Sequence, residues 1–220
     1  MYKFCAFDLD GTLVNSVADI AEAVNYCLRS MGLPEHERAQ YNHFVGNGMK
    51  KLCERALPED KKQLVEELVK KYDRRYSEHC CELSEPYPGV PQLLKRLSEQ
   101  GVTLAVVTNK PQNQTDRVIA RYYADIPFAA VLGQSDSYPP KPAPDMLYAV
   151  MNRLGFSPAE TLYTGDSNVD IEFARAAGVD CVGVSWGFRG TEELRSAGAQ
   201  HIADTAEQVY EIAETGAPTV

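Results

Sequence analysis

Short apolar runs that alternate with helical patterns constrain the fold of this chain more than any other feature. Phe4–Phe7 is a continuous apolar run that ends at Asp8, and residues 102–107 form a second run rich in β-branched side chains. Such runs are typical of parallel strands buried on both faces of a sheet. The same pattern predicts strands over residues 128–132, 161–164 and 181–184, and helices over residues 112–123, 144–154, 171–177 and 206–213.

One long segment, residues 15–85, interrupts this alternation. Ser16 is the predicted N-cap of its first helix, and Asp19, three positions on, would complete an approximate capping box. The rest of the segment has a helical pattern and no predicted strand. Because strands alternate with helices on both sides of this segment, we expect an α/β fold. It would be a Rossmann-like, doubly wound parallel sheet built from residues 1–14 and 86–220. The all-helical insertion, residues 15–85, is called the cap below.

Charge and composition narrow the range of partners. The chain carries a formal net charge of -9, which argues weakly against a nucleic-acid partner. No run approaches the roughly 20 apolar residues of a membrane helix, and the first residues do not form a secretory signal. The six cysteines show no CxxC spacing, so free thiols in a reducing compartment are expected. We therefore expect a cytoplasmic protein whose partner is a small molecule, with no nucleic-acid or membrane partner. The sequence leaves a monomer or a homodimer open.

Two carboxylate pairs follow predicted strands. Asp8 and Asp10 come directly after the first strand, and Gly11 permits a tight turn behind them. Asp166 and Asp170 follow the strand at residues 161–164. A DxD pair can be an ordinary loop, and Asp170 can serve only as a helix cap. However, the carboxyl ends of parallel strands meet at one edge of the sheet, which is where such sheets place their sites.

The other two polar clusters carry a hydroxyl, a backbone amide and a cation. Thr108 and Asn109 follow the strand at residues 102–107, where they suit a phosphate oxygen or only a turn before a helix. Lys141 lies between prolines that stiffen its backbone, but by itself it could be a solvated lysine. Four carboxylates at one edge would repel one another without a counter-ion. Oxygen-only ligands favour Mg²⁺ over zinc.

These four clusters resemble the motifs of the haloacid dehalogenase superfamily, in the subgroup of phosphatases with a helical cap. Asp8-Leu9-Asp10-Gly11-Thr12 matches the first motif and Thr108-Asn109 the second. Lys141 matches the third, and residues 165–170 match the fourth. The clusters stand in the family's order and cover nearly the whole chain. Asn15 departs from the Asp that many relatives carry there, which removes one charge without touching the motifs.

The resemblance implies a role for each motif residue. Asp8 would be the nucleophile that forms an aspartyl-phosphate, and Asp10 the general acid and base. Thr108, Asn109 and Lys141 would bind the transferring phosphoryl group. Thr12 would support the site, and Asp170 would orient Lys141. Mg²⁺ would be held by Asp8, by the backbone carbonyl of Asp10 and by Asp166.

The cap segment Val45-Gly46-Asn47-Gly48 is similar to that of phosphoglycolate phosphatases within this superfamily. Gly46 and Gly48 would let the backbone approach the substrate, and Asn47 or Lys50 could contact its carboxylate. The same residues could equally form only a helix–helix turn. Arg189 is a further candidate for an anionic group, although an exposed surface arginine is the simpler interpretation.

The expected activity is therefore Mg²⁺-dependent hydrolysis of a small phosphomonoester, with 2-phosphoglycolate as the leading substrate. A sugar-phosphate phosphomutase or a pyrophosphatase of the same superfamily could carry the same motifs. A dehalogenase would need neither Asp10 nor Asp166, and a non-catalytic binding protein would not need all four motifs intact.

Overall fold

The computed structural model describes residues 1–216 of the 220-residue chain, and it contains one main sheet and ten α-helices within that part. No helix in these residues is both long and apolar enough to cross a membrane. The strands are β1 (Phe4–Phe7), β2 (Val14–Asn15), β3 (Glu85–Pro86), β4 (Thr103–Pro111), β5 (Phe128–Gln134), β6 (Thr161–Gly165), β7 (Asp180–Val184) and β8 (His201–Ala203). The helices are α1 (Val17–Ser30), α2 (Arg38–Phe44), α3 (Met49–Ala56), α4 (Val65–His79), α5 (Val90–Glu99), α6 (Gln112–Tyr122), α7 (Asp145–Leu154), α8 (Asn168–Ala177), α9 (Gly190–Ala197) and α10 (Ala206–Thr215).

Six parallel strands form the main sheet in the order β5-β4-β1-β6-β7-β8. The chain builds outward from β1, first to one side through β4 and β5, then to the other through β6. β1 therefore lies at the point where the strand order reverses, and open α/β sheets bind ligands beside the carboxyl ends of the strands at that point. The predicted doubly wound parallel sheet is confirmed.

The side chains of β1 alternate between two apolar clusters, one on each face of the sheet. Phe4 and Ala6 belong to one cluster, and Cys5 and Phe7 to the other. All four are buried, as expected for a central strand covered on both faces. The cluster that contains Phe7 continues into α1, α3 and α4, so the helical insertion packs on the same apolar core as the sheet.

A two-stranded antiparallel ribbon marks the two crossings between the sheet and the cap helices. Val14 pairs with Pro86 and Asn15 with Glu85, so β2 and β3 lie side by side where the chain leaves the sheet region and returns. Helices α1 to α4 all lie between these two strands in sequence. The division into domains at residues 14/15 and 85/86 stays a prediction.

The predicted capping box at Ser16 is wrong, although α1 does begin directly after it. Ser16 makes no side-chain capping bond, and its Oγ instead donates to Asp10 Oδ1 at 2.5 Å. The carboxylate of Asp19 accepts backbone N–H bonds from Leu83 and Ser84 at 2.9 and 2.8 Å. The Ser16 side chain therefore binds the turn that follows β1, and the Asp19 side chain binds the far end of the cap; neither caps the helix.

The predicted strands and helices differ from the observed ones mainly at their ends. β4 continues four residues beyond residue 107, with an irregular register between Val107 and Pro111. α8 begins three residues before the predicted start at residue 171. The sequence pattern also missed β8 and the β2–β3 ribbon, which are two or three residues long and too short to show periodicity.

Candidate active site

Asp8 lies directly beyond β1, and its carboxylate is almost fully buried at the edge of the sheet. Lys141 Nζ lies 3.0 Å from Asp8 Oδ1 as an ion pair. Burial raises the pKa of Asp8 to about 6, with the Asp170 charge acting in the same direction and Lys141 and the Thr108 hydroxyl opposing them. A carboxylate on a strand end, next to a cation and not fully stabilised by it, is suited to attack an electrophile.

Lys141 is fixed at both its side chain and its backbone. Its ammonium group donates to Asp170 Oδ1 at 2.7 Å and to the Tyr163 hydroxyl at 2.9 Å. Burial disfavours the charged lysine, but the charges of Asp170 and Asp8 outweigh burial and raise its pKa. The Lys141 N–H donates to Asn109 Oδ1 at 2.8 Å. Lys141 is therefore a positive charge held at a fixed place beside Asp8.

Asp166 occupies a space that two glycines leave open. A Cβ on Gly11 would lie 2.2 Å from Asp166 Oδ2, and one on Gly187 would lie 2.2 Å from its Cβ. Asp166 Oδ2 accepts the Phe188 N–H at 2.8 Å, and Thr12 Oγ1 approaches Oδ1 at 3.5 Å. Burial, followed by the Asp170 and Asp8 charges, raises the pKa of Asp166 well above its usual range. Its charged form therefore lacks a sufficient counter-charge.

Three of the four predicted carboxylates form one group. One oxygen each of Asp8, Asp166 and Asp170 lies within 4.8 Å of the others, and all three residues are buried. Asp8 Oδ1 is buried and, among the described residues, accepts no well-formed hydrogen bond. Buried carboxylate oxygens without enough donors are the ligands that hard divalent cations take. The residues present therefore fit such a cation, and their lack of nitrogen and sulfur donors favours Mg²⁺.

Asp10, the fourth predicted carboxylate, points to a second lysine that the sequence patterns missed. Lys110 Nζ donates to both oxygens of Asp10, at 2.9 and 3.0 Å, and to the Tyr76 hydroxyl of α4 at 2.8 Å. Lys110 is only 5% exposed. It immediately follows Thr108 and Asn109, and this adjacency was the one signal available. A lysine after an apolar strand is ordinarily a solvated residue, so pattern alone gave no reason to choose it.

The cap segment around the two predicted glycines reaches the sheet edge. Gly46 and Gly48 both have positive φ angles, of 114° and 84°, and both line a cavity together with Asp8, Asp10 and Thr108. Asn109 Nδ2 donates to the Gly46 carbonyl at 3.1 Å. The segment is therefore more than a turn between helices, because it forms one wall of the cavity.

The three other candidates for contacting an anion are bound elsewhere. Asn47 Oδ1 accepts from Arg55 at 2.7 Å, and Lys50 is an exposed residue paired with Glu66 at 2.6 Å. The guanidinium of Arg189 donates to the Val45 carbonyl at 2.9 Å and to that of His43 at 3.3 Å. The interpretation of Arg189 as an exposed surface arginine is corrected, since its side chain is only 10% exposed and binds the cap backbone.

Comparison with known proteins identifies relatives along nearly the whole chain. The family model described as haloacid dehalogenase-like hydrolase matches residues 5–184. The chain is 36% identical over 219 residues to the phosphoglycolate phosphatase of Haemophilus influenzae, covering 96% of this chain and 98% of that protein. It is 35% identical over 209 residues to the phosphoglycolate phosphatase of Aliivibrio fischeri, covering 92% of each.

Solved structures give the same result for the fold. A crystal structure of a candidate phosphoglycolate phosphatase from Lactobacillus delbrueckii superposes with a TM-score of 0.88 at 30% identity. The superposition covers 96% of this chain and 98% of that one. The sheet, the helical insertion and the edge that holds Asp8 are thus shared features rather than peculiarities of one chain.

Proposed function

The chain belongs to the haloacid dehalogenase-like hydrolases, and on this premise we propose that it is a phosphoric monoester hydrolase whose substrate is 2-phosphoglycolate. The observation that carries the proposal is the buried Asp8 carboxylate beside Lys141, with Asp166 and Asp170 within 4.8 Å. Relatives 35% and 36% identical over most of the chain, named phosphoglycolate phosphatases, support the substrate.

In the first half of the proposed reaction, a carboxylate oxygen of Asp8 attacks the phosphorus atom. A bond forms between that oxygen and phosphorus, while the bond between phosphorus and the glycolate oxygen breaks. Asp10 donates its proton to the departing glycolate oxygen. The products of this step are free glycolate and an aspartyl-phosphate on Asp8.

In the second half, Asp10 acts as the base. It removes a proton from a water molecule, which attacks phosphorus and breaks the bond to the Asp8 oxygen. Inorganic phosphate leaves and both carboxylates return to their starting state. The contacts of Asp10 with Ser16 and Lys110 hold its carboxylate in one orientation for both transfers.

The phosphoryl group would be held by residues at the end of β4 and by Lys141, in the loop between β5 and α7. The Lys141 ammonium, the Thr108 hydroxyl and the Asn109 N–H would bind its oxygens and offset the charge that develops on them. Mg²⁺, held by the carboxylates of Asp8 and Asp166 and the backbone carbonyl of Asp10, would neutralise further negative charge there. Asp170 orients Lys141 through the 2.7 Å contact.

The cap, residues 15–85, would exclude water from the reacting group and restrict the size of the leaving group. Its contacts through Gly46 and Val45 to Asn109 and Arg189 join it to the sheet. A cytoplasmic location and a monomeric or homodimeric state remain part of this proposal.

The test is phosphate release from 2-phosphoglycolate beside sugar phosphates, nucleotides and pyrophosphate, each with Mg²⁺ and with chelator. We expect the highest kcat/KM for 2-phosphoglycolate, and its loss with chelator. Preference for a sugar phosphate or for pyrophosphate would agree with the proposed reaction mechanism but reject 2-phosphoglycolate as the substrate. Release that is unchanged in Asp8→Asn would reject the mechanism.

A further inference from the structure

A cavity of about 40 Å³, open at its mouth, separates the sheet edge from the cap helices. Asp8, Asp10 and Thr108 line its sheet side. On the cap side its walls are mostly apolar and include Ile20, Met49 and Leu52. The reacting phosphoryl group must meet Asp8 at the sheet side, so the leaving group has to occupy the rest of this cavity.

Lys110 is the one Lys, Arg or His side chain of residues 1–216 that lines this cavity. Its ammonium group is held from two sides, by the carboxylate of Asp10 and by the Tyr76 hydroxyl, and it lies 4.4 Å from the centre of the Tyr76 ring. A buried cation fixed in this way needs little reorganisation to bind an anion. Because the cap side of the pocket is mostly apolar, such a charge discriminates strongly between charged and neutral ligands.

The other cations near the site are already committed. Lys141 is bound by Asp8 and Asp170 at the phosphoryl end. Arg189 binds cap carbonyls, and Lys50 is paired with Glu66 on the surface. Lys110 is also paired, with Asp10, but it differs from the other three because its side chain lines the cavity. It therefore lies where an anionic group on the leaving side of the substrate can reach it.

The position of Lys110 also selects the length of the leaving group. Asp10 must reach the ester oxygen to protonate it, and Lys110 Nζ lies 2.9 Å from the Asp10 carboxylate. The group that Lys110 binds must therefore lie only a few bonds from that oxygen. In the phosphate ester of a 2-hydroxy acid, a single carbon separates the ester oxygen from the carboxylate. Tyr72, another lining residue, keeps its hydroxyl protonated as a donor, since burial and then Asp10 raise its pKa.

From this geometry we infer that Lys110 binds the carboxylate of the leaving group and makes the enzyme selective for phosphate esters of short 2-hydroxy acids. The inference rests on the proposed function and specifies which part of the site recognises the leaving group of the substrate. Recognition then comes from strand β4 of the sheet, while the apolar cap residues limit the size of the leaving group.

The test compares 2-phosphoglycolate with 2-hydroxyethyl phosphate, which has the same length but a neutral hydroxymethyl group in place of the carboxylate. Wild-type protein is expected to prefer 2-phosphoglycolate. Lys110→Met should lower that preference in kcat/KM by about 10-fold to 100-fold, the range expected when one buried charged hydrogen bond is removed. Most of the loss should fall on KM. Lys110→Arg should keep part of the preference, and Lys95→Met, at an exposed ion pair on α5, should keep all of it.

Equal losses for both esters in Lys110→Met would overturn the inference, because they would mean that Lys110 only positions Asp10. A comparison made with wild-type protein alone avoids the risk that a variant does not fold. The phosphate ester of 3-hydroxypropionate, 3-phosphooxypropionate, is one methylene longer than 2-phosphoglycolate and should be the poorer substrate. Equal use of the two would also overturn the inference. Failure of the proposed function would give a different result from failure of this inference. Wild-type protein would then hydrolyse another ester of the panel and leave 2-phosphoglycolate unhydrolysed.

Discussion

Asn109 holds the backbone of Lys141 from both sides. Its Oδ1 accepts the Lys141 N–H at 2.8 Å, and its Nδ2 donates to the Lys141 carbonyl at 3.1 Å. The same Nδ2 donates to the Gly46 carbonyl at 3.1 Å. One side chain of β4 therefore fixes the lysine that pairs with Asp8 and also contacts the cap.

Replacement of Asn109 should lower both stability and turnover. Asn109→Ala removes these hydrogen bonds and leaves a buried N–H and buried carbonyls unpaired, so we expect the free energy of unfolding to fall by about 2–3 kcal/mol. Asn109→Asp should cost more, because an oxygen replaces the donor that faces two carbonyls. Urea denaturation and kcat measure the two effects. Asn113→Asp, at an exposed position on α6, is the matched control, and an equal loss there would contradict this account.

Removal of the nucleophile should abolish turnover without unfolding the protein. Asp8→Asn has the same shape, but an amide is a poor nucleophile, and we expect kcat to fall on the order of a thousand-fold or more. Mass spectrometry of acid-quenched reactions should find one added phosphoryl group on wild-type protein and none on the variant. Asp60→Asn, at an exposed residue of the cap, should behave as wild type. A phosphorylated Asp8→Asn protein would exclude Asp8 as the attacking group.

The sheet and the strand-end residues could be predicted because each signal is local. Phe4–Phe7 is apolar throughout and ends at Asp8, and this pattern follows from burial on both faces. Lys110 could not be predicted, because its partners Asp10 and Tyr76 are 100 and 34 residues away in sequence. No local pattern carries such a contact.

The capping box predicted at Ser16 is wrong for the same reason, namely that contacts between residues far apart in sequence leave no local pattern. Ser16 and Asp19 have the residue types and the spacing of a capping box, and a local rule can judge nothing else. The carboxylate of Asp19 instead binds backbone N–H groups of Leu83 and Ser84, at the far end of the cap. Tertiary contacts thus override the local preference where the chain enters and leaves the cap.

A single methyl group added beside Asp166 should lower the stability of the protein. Gly11→Ala places a methyl group 2.2 Å from Asp166 Oδ2, whereas Gly101→Ala meets no atom within 4 Å. The two glycines have nearly equal φ angles, of 83° and 81°, so backbone strain of about 1–2 kcal/mol is common to both variants. We expect Gly11→Ala to lose roughly 1–3 kcal/mol more in unfolding free energy than Gly101→Ala. Similar losses in the two variants would show that Asp166 moves aside freely.

The acid dependence of stability should include a contribution from Glu160. Lys3 and Ser157 hydrogen-bond its carboxylate and lower its pKa to about 2, from an ordinary value of 4.5. Because the folded-state pKa is the lower one, the stabilisation is complete above pH 4.5 and disappears as the pH falls toward 2.

Melting temperatures of wild type and Glu160→Gln between pH 7 and pH 3 test this. Wild type should be the more stable at pH 7, by on the order of 1 °C because the pair is exposed, and the difference should shrink below pH 4.5. Glu99→Gln, at an exposed position on α5, should show no such trend. A difference that grows toward low pH would have the wrong sign for this ion pair.

Mg²⁺ should distinguish Asp166 from Asp170, although both belong to the carboxylate group with Asp8. Asp170 Oδ1 already accepts from Lys141 and Tyr163, and its Oδ2 accepts from Ser167. Within residues 1–216, Asp166 receives only the Phe188 N–H and a distant Thr12 hydroxyl, so its carboxylate retains more capacity to bind a cation. Mg²⁺ at about 100 times its dissociation constant should add about 2.7 kcal/mol of stability, or roughly 5–10 °C in melting temperature for a chain of this size.

Asp166→Asn should lose most of this Mg²⁺-dependent increase in stability. Asp170→Asn should keep the increase but lose turnover, because Lys141 would be misplaced. Thermal melts with Mg²⁺ and with chelator decide between the two residues, and the reverse result would make Asp170 the ligand and Asp166 the supporting group.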